Sequence, residues 1–208
     1  MTRSNLICFV TVLALLVASA TWAADYAIDP AHSSVSFKIR HMVVSSVTGR
    51  FGKFSGSFSY DPKNLKASKA EAKIDAAGIN TDNEKRDGHL RSADFFDVEK
   101  FPDVLFVSRE IKDVKKDHFK IAGDLTLHGV TKSVTLDAEA GGTITDPGGN
   151  IRAGFSATTT INRKDYGIVW NKALEAGGAT VGEDVKITLE IEGIQKKEMK
   201  DSKDAKSK

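Results

Sequence analysis

Cysteine is almost absent from this chain of 208 residues, since its single copy, Cys8, falls inside the first apolar run. The chain after that run therefore has no cysteine, which excludes disulfides, thiolate nucleophiles and cysteine metal ligands there. An excess of one charge is also lacking, because 30 lysines and arginines stand against 28 aspartates and glutamates. Such a near-neutral chain gives no indication of nucleic-acid binding. Beyond the first run, no apolar stretch is long enough to span a membrane.

The first two dozen residues have the order of a secretory signal peptide. A short basic stretch containing Arg3 precedes an uncharged apolar run over residues 6–18, and small residues follow. The run is shorter than the about 20 residues of a bilayer-spanning helix. We therefore predict a signal peptide at residues 1–23, cleaved near Ala23, and export of the remaining chain. Cleavage after Ala20 and an uncleaved anchor are the alternatives.

The remaining chain divides into one domain and a tail. Residues 24–194 are long enough to bury one sizeable core, which makes a single domain the default. Residues 195–208 are polar and rich in lysine, which predicts a disordered tail. The tail either keeps the protein in solution or contacts an anionic membrane surface.

Alternation of apolar and polar residues dominates residues 24–194 and predicts β-strands. In the first such segment the apolar positions are Val35, Phe37, Ile39 and Val43. About eight segments of this kind, separated by short turns, predict an all-β barrel or sandwich with one wet and one dry face.

Two stretches interrupt the alternation. A capping-box pattern of Thr81 and Glu84 predicts a short helix over residues 81–96. Residues 162–179 contain aromatics and glycines without a clean period, so we predict a long loop or helical turn there. A long insertion of this kind often covers a binding site, which makes it the candidate lid.

Many inward positions of the predicted strands carry small side chains. These small residues lie among large aromatic ones, and they are Gly56, Ala70, Ala72, Gly123, Ala138 and Ala157. Either the small and large residues interdigitate to fill a solid core, or they leave a cavity. An eight-stranded barrel is just wide enough to hold one small ligand.

Motifs for catalysis and metal binding are lacking too. The five histidines form no i, i+4 pair and no His-Glu-x-x-His frame, and no Gly-x-Ser-x-Gly elbow is present. We predict no catalytic residue, no metal and no cofactor. The densest polar cluster, residues 83–91, contains Arg86, Asp87 and His89. These three side chains could bind a polar headgroup, or they could tie the helix to a strand.

Five phrases of the sequence, in order, resemble the YceI family of exported lipid-binding proteins over residues 26–194. They begin with Ile-Asp-Pro-Ala-His-Ser and include the central Arg-Asp-Gly-His-Leu-Arg-Ser-Ala-Asp-Phe-Phe, and they occupy residues 28–33, 49–56, 86–102, 123–132 and 161–168. The resemblance implies a lipocalin-like, extended antiparallel eight-stranded β-barrel in the periplasm. It also implies a cavity that holds a long polyisoprenoid or similar lipid, such as a quinone or its precursor.

The resemblance also suggests which residues contact the ligand. Candidates for the headgroup end are His32, Arg86, Asp87, His89 and Arg163. Candidates for the tail are apolar residues on the inward face of the strands and in the long loop, namely Phe37, Ile39, Phe54, Phe58, Phe106, Ile121, Leu125, Phe155 and Trp170.

Two other classes of function are also compatible with the sequence. An enzyme acting on an isoprenoid lipid would use His89 and Asp87 as an acid–base pair. A stress-protection or adhesion module would have a solid barrel and no ligand. An edge strand or an exposed mouth could also pair two barrels into a homodimer.

Overall fold

The structure is a computed structural model that describes residues 23–173 and 179–197. Apart from Ala23, the predicted signal peptide lies outside the described residues, as do residues 198–208 of the predicted tail. Within the described ranges, no helix is long and apolar enough to cross a membrane.

Eleven strands and one α-helix make up the described fold. The helix, α1, comprises Glu84–Arg91. The strands are β1 (Ala24–Ile28), β2 (Ser34–His41), β3 (Ser45–Phe51), β4 (Phe54–Tyr60), β5 (Lys69–Asp75), β6 (Ile79–Asn80), β7 (Asp103–Lys115), β8 (His118–Leu127), β9 (Val130–Thr145), β10 (Ile151–Asn162) and β11 (Val181–Gln195).

The strands form one antiparallel sheet that closes on itself. Eight of them follow the order β1-β4-β5-β7-β8-β9-β10-β11, and β11 pairs back with β1 through Tyr26 and Gln195. The predicted eight-stranded antiparallel barrel is therefore confirmed. The strand β11 continues through Gln195, one residue into the segment predicted as tail, because this pairing holds its end.

The three remaining strands extend the wall at one end. The strand β2 pairs with the first part of β11, up to Glu190, whereas β1 takes its last residues, Gly193–Gln195. β3 pairs with β2, and the two-residue β6 pairs with β3. The helix α1 follows β6 directly, so it lies at this end of the barrel. We call the end of the barrel that carries α1 the apical end, and the opposite end the basal end.

The inward faces of the strands form two separate apolar clusters. The basal cluster contains five aromatic rings, with adjacent centroids 4.9–6.5 Å apart, from Tyr26, Phe58, Tyr60, Phe119 and Phe155. The apical cluster joins strand residues to the helix and loop, through Val104, Leu125, Ile161, Phe95, Tyr166 and Ile168. The inward residues of the alternating strands thus pack into one cluster towards each end of the barrel.

The helix α1 is shorter than the sequence indicates, and a different residue caps it. Asn83 is the N-cap, and its side-chain oxygen accepts from the backbone N–H of Arg86 at 2.9 Å. The predicted capping box at Thr81 and Glu84 is wrong, because the Thr81 side chain is held by Asp87 and Arg86 instead.

One predicted strand position lies in a turn. Val43, expected on the inward face, is 64% exposed between β2 and β3. β2 ends at His41, where its pairing with β11 reaches Val181. The alternation continues for two residues past the end of the strand, so it misplaces Val43.

The long connection between β10 and β11 begins with a 3-10 turn over Arg163–Tyr166. Asn162 caps this turn, and Gly167 ends it with a left-handed φ of 78°. The connection then passes Trp170, and residues 174–178 of the predicted lid lie outside the described residues.

An ion group braces the outer wall towards the basal end. Arg152 on β10 donates to Asp146 at 2.7 Å and to Asp29 at 2.8 Å, and it also binds Glu192 on β11. His32 hydrogen-bonds to the same Asp29 oxygen at 2.8 Å. Although Asp29, His32 and Glu192 come close enough to share a metal ion, the Arg152 cation lies between the two carboxylates. We interpret the group as a brace.

Acid should release this brace. Hydrogen bonds from Arg152 and His32 lower the pKa of Asp29 from 3.8 to about 2, and Arg152 likewise lowers that of Asp146. Because the pKa of these carboxyl groups is lowered in the folded state, the ion group stabilises the fold when the pH is above their ordinary pKa. This contribution is lost as the pH falls through the lowered pKa of the folded state. The thermal midpoint should therefore fall between about pH 4 and about pH 2.

Arg152→Met supplies the comparison for this prediction. It should lower the midpoint near neutral pH and make the acid-induced fall shallower. A variant that keeps the wild-type midpoint throughout the titration would show that the ion group contributes no stability.

Candidate functional site

A cavity of about 410 Å³ occupies the barrel interior between the basal and apical clusters. Its wall is built from inward-facing residues of the strands, and apical loops add the rest. All nine apolar residues predicted for a ligand tail line it: Phe37, Ile39, Phe54, Phe58, Phe106, Ile121, Leu125, Phe155 and Trp170. The inward alternation therefore places these side chains around one space.

The cavity extends along most of the barrel. On β10, Phe155 belongs to the basal end and Ile161 to the apical cluster, and both line the cavity. Six residues at about 3.3 Å each span about 20 Å along the strand. With a strand tilt of about 40°, this corresponds to about 15 Å along the barrel axis. One leaflet of a bilayer core has a similar depth, about 15 Å.

Two charged residues of α1 grip the short segment before the helix. The buried Asp87 carboxylate accepts from the Thr81 backbone N–H at 2.9 Å and also from the Thr81 hydroxyl. Arg86 donates from Nε to the same hydroxyl at 2.7 Å and from Nη2 to the Thr81 carbonyl at 2.8 Å. Arg86 and Thr81 line the cavity, whereas Asp87 is not among the lining residues. Asp87 therefore acts on the cavity through Thr81.

Removing the Thr81 hydroxyl should loosen α1. Thr81→Val leaves the Arg86 Nε without its acceptor and takes one hydrogen bond from the buried Asp87. We expect a loss of about 1–3 kcal/mol in the free energy of unfolding, measured in urea. Thr81→Ser keeps the hydroxyl and should lose less. Equal losses for the two variants would assign the effect to the Thr81 methyl group instead.

His89 lies on the rim of the cavity among aromatic rings. Its ring centroid is 5.0 Å from that of Phe95 and 4.9 Å from that of Trp170, in edge-to-face arrangements. Its Nε2 is 2.8 Å from Asp94, and its side chain is 41% exposed. The hydrogen-bond partner of His89 is thus Asp94, while the Asp87 carboxylate is directed at Thr81.

Arg163 is the buried cation of the cavity wall. The residue is 3% exposed, and it donates from Nε to the Gly182 carbonyl at 2.8 Å and from Nη1 to the Ile168 carbonyl at 2.7 Å. Its Nη2 is also buried and has no hydrogen-bond partner among the described residues. Burial lowers the pKa of this guanidinium. Arg163 lines the cavity, and its Nη2 is a buried donor that the described residues leave unpaired beside it.

The structure brings together three of the five predicted headgroup residues on the cavity wall. These are Arg86, His89 and Arg163. Asp87 does not line the cavity but accepts a hydrogen bond from the Thr81 hydroxyl, and His32 belongs to the outer-wall ion group. Thr81 also lines the cavity, which the sequence does not predict, because its capping-box position predicts a hydrogen bond within its own helix.

An antiparallel eight-stranded barrel whose cavity has a mostly apolar wall belongs to the class of small barrels that enclose a ligand-sized space. The YceI-like domain model matches residues 26–193, and this chain belongs to that family. The resemblance found in the sequence is thereby confirmed.

Proteins of other organisms match most of this chain in sequence or in fold. A UPF0312 protein of Vibrio cholerae is 43% identical over 176 residues, covering 84% of this chain and 89% of that protein. The crystal structure of BcnA from Burkholderia cenocepacia aligns with a TM-score of 0.70 and 22% identity, covering 79% of this chain and 98% of BcnA. A polyisoprenoid-binding domain from Saccharophagus degradans aligns with a TM-score of 0.59 and 16% identity, covering 84% and 99% of the two chains.

Proposed function

We propose that this protein is an exported, non-catalytic carrier that holds a polyisoprenoid or similar long-chain lipid in its barrel. A quinone or quinone precursor is the cargo we favour, and the periplasm is the compartment. The observation that carries the proposal is the apolar cavity, which extends about as far as one bilayer leaflet is deep. The fold of a polyisoprenoid-binding domain from another organism supports it.

The energetics of such a lipid explain the need for a carrier. Exposing an isoprenoid tail to water costs about 0.8 kcal/mol per methylene-sized group, which forbids free diffusion of a long chain. An apolar cavity replaces the interior of the membrane with a similar medium, so extraction costs little. Recognition then depends on the polar groups at the apical end. Arg163 offers an unused donor there, and Arg86 and His89 lie on the same wall.

The two rival functions fit the geometry less well. A solid-barrel module does not account for a cavity of about 410 Å³. The enzyme hypothesis relies on His89 and Asp87 acting as a pair. However, the Asp87 carboxylate binds Thr81, and the His89 imidazole binds Asp94. We therefore assign both side chains to positioning and binding.

Native mass spectrometry of the purified protein, followed by solvent extraction, tests the proposal. We expect one amphiphile with a repeating isoprene mass, bound as one molecule per barrel. The extracted lipid should be chemically unchanged after prolonged incubation with the protein. An empty barrel that stays empty after incubation with polyprenols and quinones would refute the carrier function. Turnover of an added lipid would favour the enzyme.

A further inference from the structure

The turn between β2 and β3 carries an exposed apolar tip, formed by Met42, Val43 and Val44. These residues are 43%, 64% and 84% exposed, and Val44 is the most exposed large apolar residue of the described chain. Single exposed apolar residues are ordinary, whereas three in succession at one projecting point form a patch that indicates a partner.

The backbone of the apolar tip does not explain its residue types. Met42 has a φ of 49° and Val43 a φ of 63°, so both are left-handed. Asn and Gly adopt such a positive φ at lower cost, and a β-branched residue such as Val43 is strained there. Neither side chain is buried in return. Because turn chemistry and packing both favour other residues, these side chains indicate a role outside the fold.

The apolar tip adjoins the apical rim of the cavity, where partly exposed residues such as His89 line the wall. The Met42 N–H donates to the Thr180 carbonyl at 2.9 Å, and Thr180 lines the cavity. The Thr180 N–H donates in turn to the Lys172 carbonyl at 2.9 Å. Shortly before Lys172 come Val169, which is 62% exposed, and Trp170, which lines the cavity. Exposed apolar side chains therefore stand on two adjoining segments of one rim.

We propose that the apolar tip and Val169 dock this rim on a lipid bilayer, so that the cavity mouth faces the membrane. The rim adjoins the opening of an apolar cavity, and docking would join that cavity to the apolar interior of the bilayer without intervening water. A protein partner fits less well, because the tip lacks the Tyr, Trp and Arg anchors that dominate protein interfaces. The purpose of docking rests on the proposed function, but docking itself is measured without cargo.

Flotation with vesicles of phosphatidylethanolamine and phosphatidylglycerol tests the proposal. The proteins are purified from cells that express the whole chain. The double variant Val43→Asp/Val44→Asp places two charges at the tip, and Ile144→Asp places one at a basal residue of similar exposure, 69%. We expect the tip variant to float at least about tenfold less than the wild type, and the Ile144 variant to float as well as the wild type. All three proteins share the same terminal residues, so any affinity of those residues cancels.

Three results would overturn the proposal: a wild type that does not float, a tip variant that floats as well as the wild type, or a control that fails equally. Sedimentation velocity identifies the competing occupant. If the wild type is a dimer that the tip variant dissociates, while no protein floats, the rim is a contact between two copies. Thermal unfolding checks the fold of each variant, and Val43→Ser/Val44→Ser replaces the double variant if that one unfolds.

Lipid extracted from the same samples separates this inference from the proposed function. A tip variant that keeps its lipid but no longer floats supports both proposals. A wild type that floats but contains no lipid, and takes up none, retains the docking surface and refutes the carrier.

Discussion

Replacing Ala72 with phenylalanine should empty the barrel of lipid while leaving it as stable as before or more so. Ala72 lies on β5 between Gly56 of β4 and Phe106 of β7, and it lines the cavity. It belongs to neither apolar cluster, so a ring at this position enters the space between them. Burying a phenylalanine side chain in an existing void contributes about 1.5–3 kcal/mol. The same ring in a filled core would cost about 1–3 kcal/mol.

The sign of the stability change thus distinguishes a carrier from a solid barrel. We expect Ala72→Phe to retain at least about tenfold less co-purified lipid than the wild type, by extraction and mass spectrometry, because the ring occupies the path of the tail. Ala122→Phe is the matched control. Ala122 lies between inward-facing Ile121 and Gly123 and so faces outward on β8. A destabilised Ala72→Phe variant with an unchanged lipid content would contradict the assignment of the cavity.

Replacing Arg163 with methionine should weaken both the fold and the binding of polar lipids. Two backbone carbonyls, of Gly182 and Ile168, lose a charged donor. Hydrogen bonds to charged groups contribute about 1.5–3 kcal/mol each, and the buried guanidinium already pays a desolvation cost. We expect a net loss of about 2–4 kcal/mol in the free energy of unfolding, measured in urea.

Two lipid probes separate the structural role of Arg163 from a role in binding. A quinone carries oxygens that accept hydrogen bonds, whereas squalene has no headgroup. Arg163→Met should bind the quinone about tenfold more weakly, equivalent to about 1.4 kcal/mol, and bind squalene as the wild type does. Lys164→Met is the control, because Lys164 is exposed and pairs only with Glu183 at the surface. Equal losses for the two probes would limit Arg163 to a structural role.

The barrel was predictable because the direction of a strand side chain is a local property. Phe37, Phe106 and Phe155 lie on three different strands, and each was placed inward by the alternation around it. The same rule failed at Val43, where the strand had ended. Alternation reports direction within a strand but does not report where hydrogen bonding to the neighbouring strand stops.

The polar end of the site was only partly predictable, because its geometry depends on distant partners. Asp29, which binds His32, also binds Arg152, 123 residues further along the chain. No local sequence pattern predicts that Asp29 and His32 belong to the outer wall. Thr81 shows the opposite case, since a valid local motif was overridden by two side chains of the helix that follows it. The free Nη2 of Arg163 becomes visible only once Gly182 and Ile168 are in place.

The pairing of Tyr26 with Gln195 has a consequence for how the protein folds. The first described strand, β1, pairs with the last one, β11, so the wall cannot close until the segment that forms β11 is present. Contacts of such high sequence separation are slow to form, and an unclosed wall leaves strand edges open to other chains. A polypeptide that stops a few residues before Gly193 would keep most of its strands yet lose the seam between the first and the last. Closure of this barrel therefore depends on the short segment Gly193–Gln195.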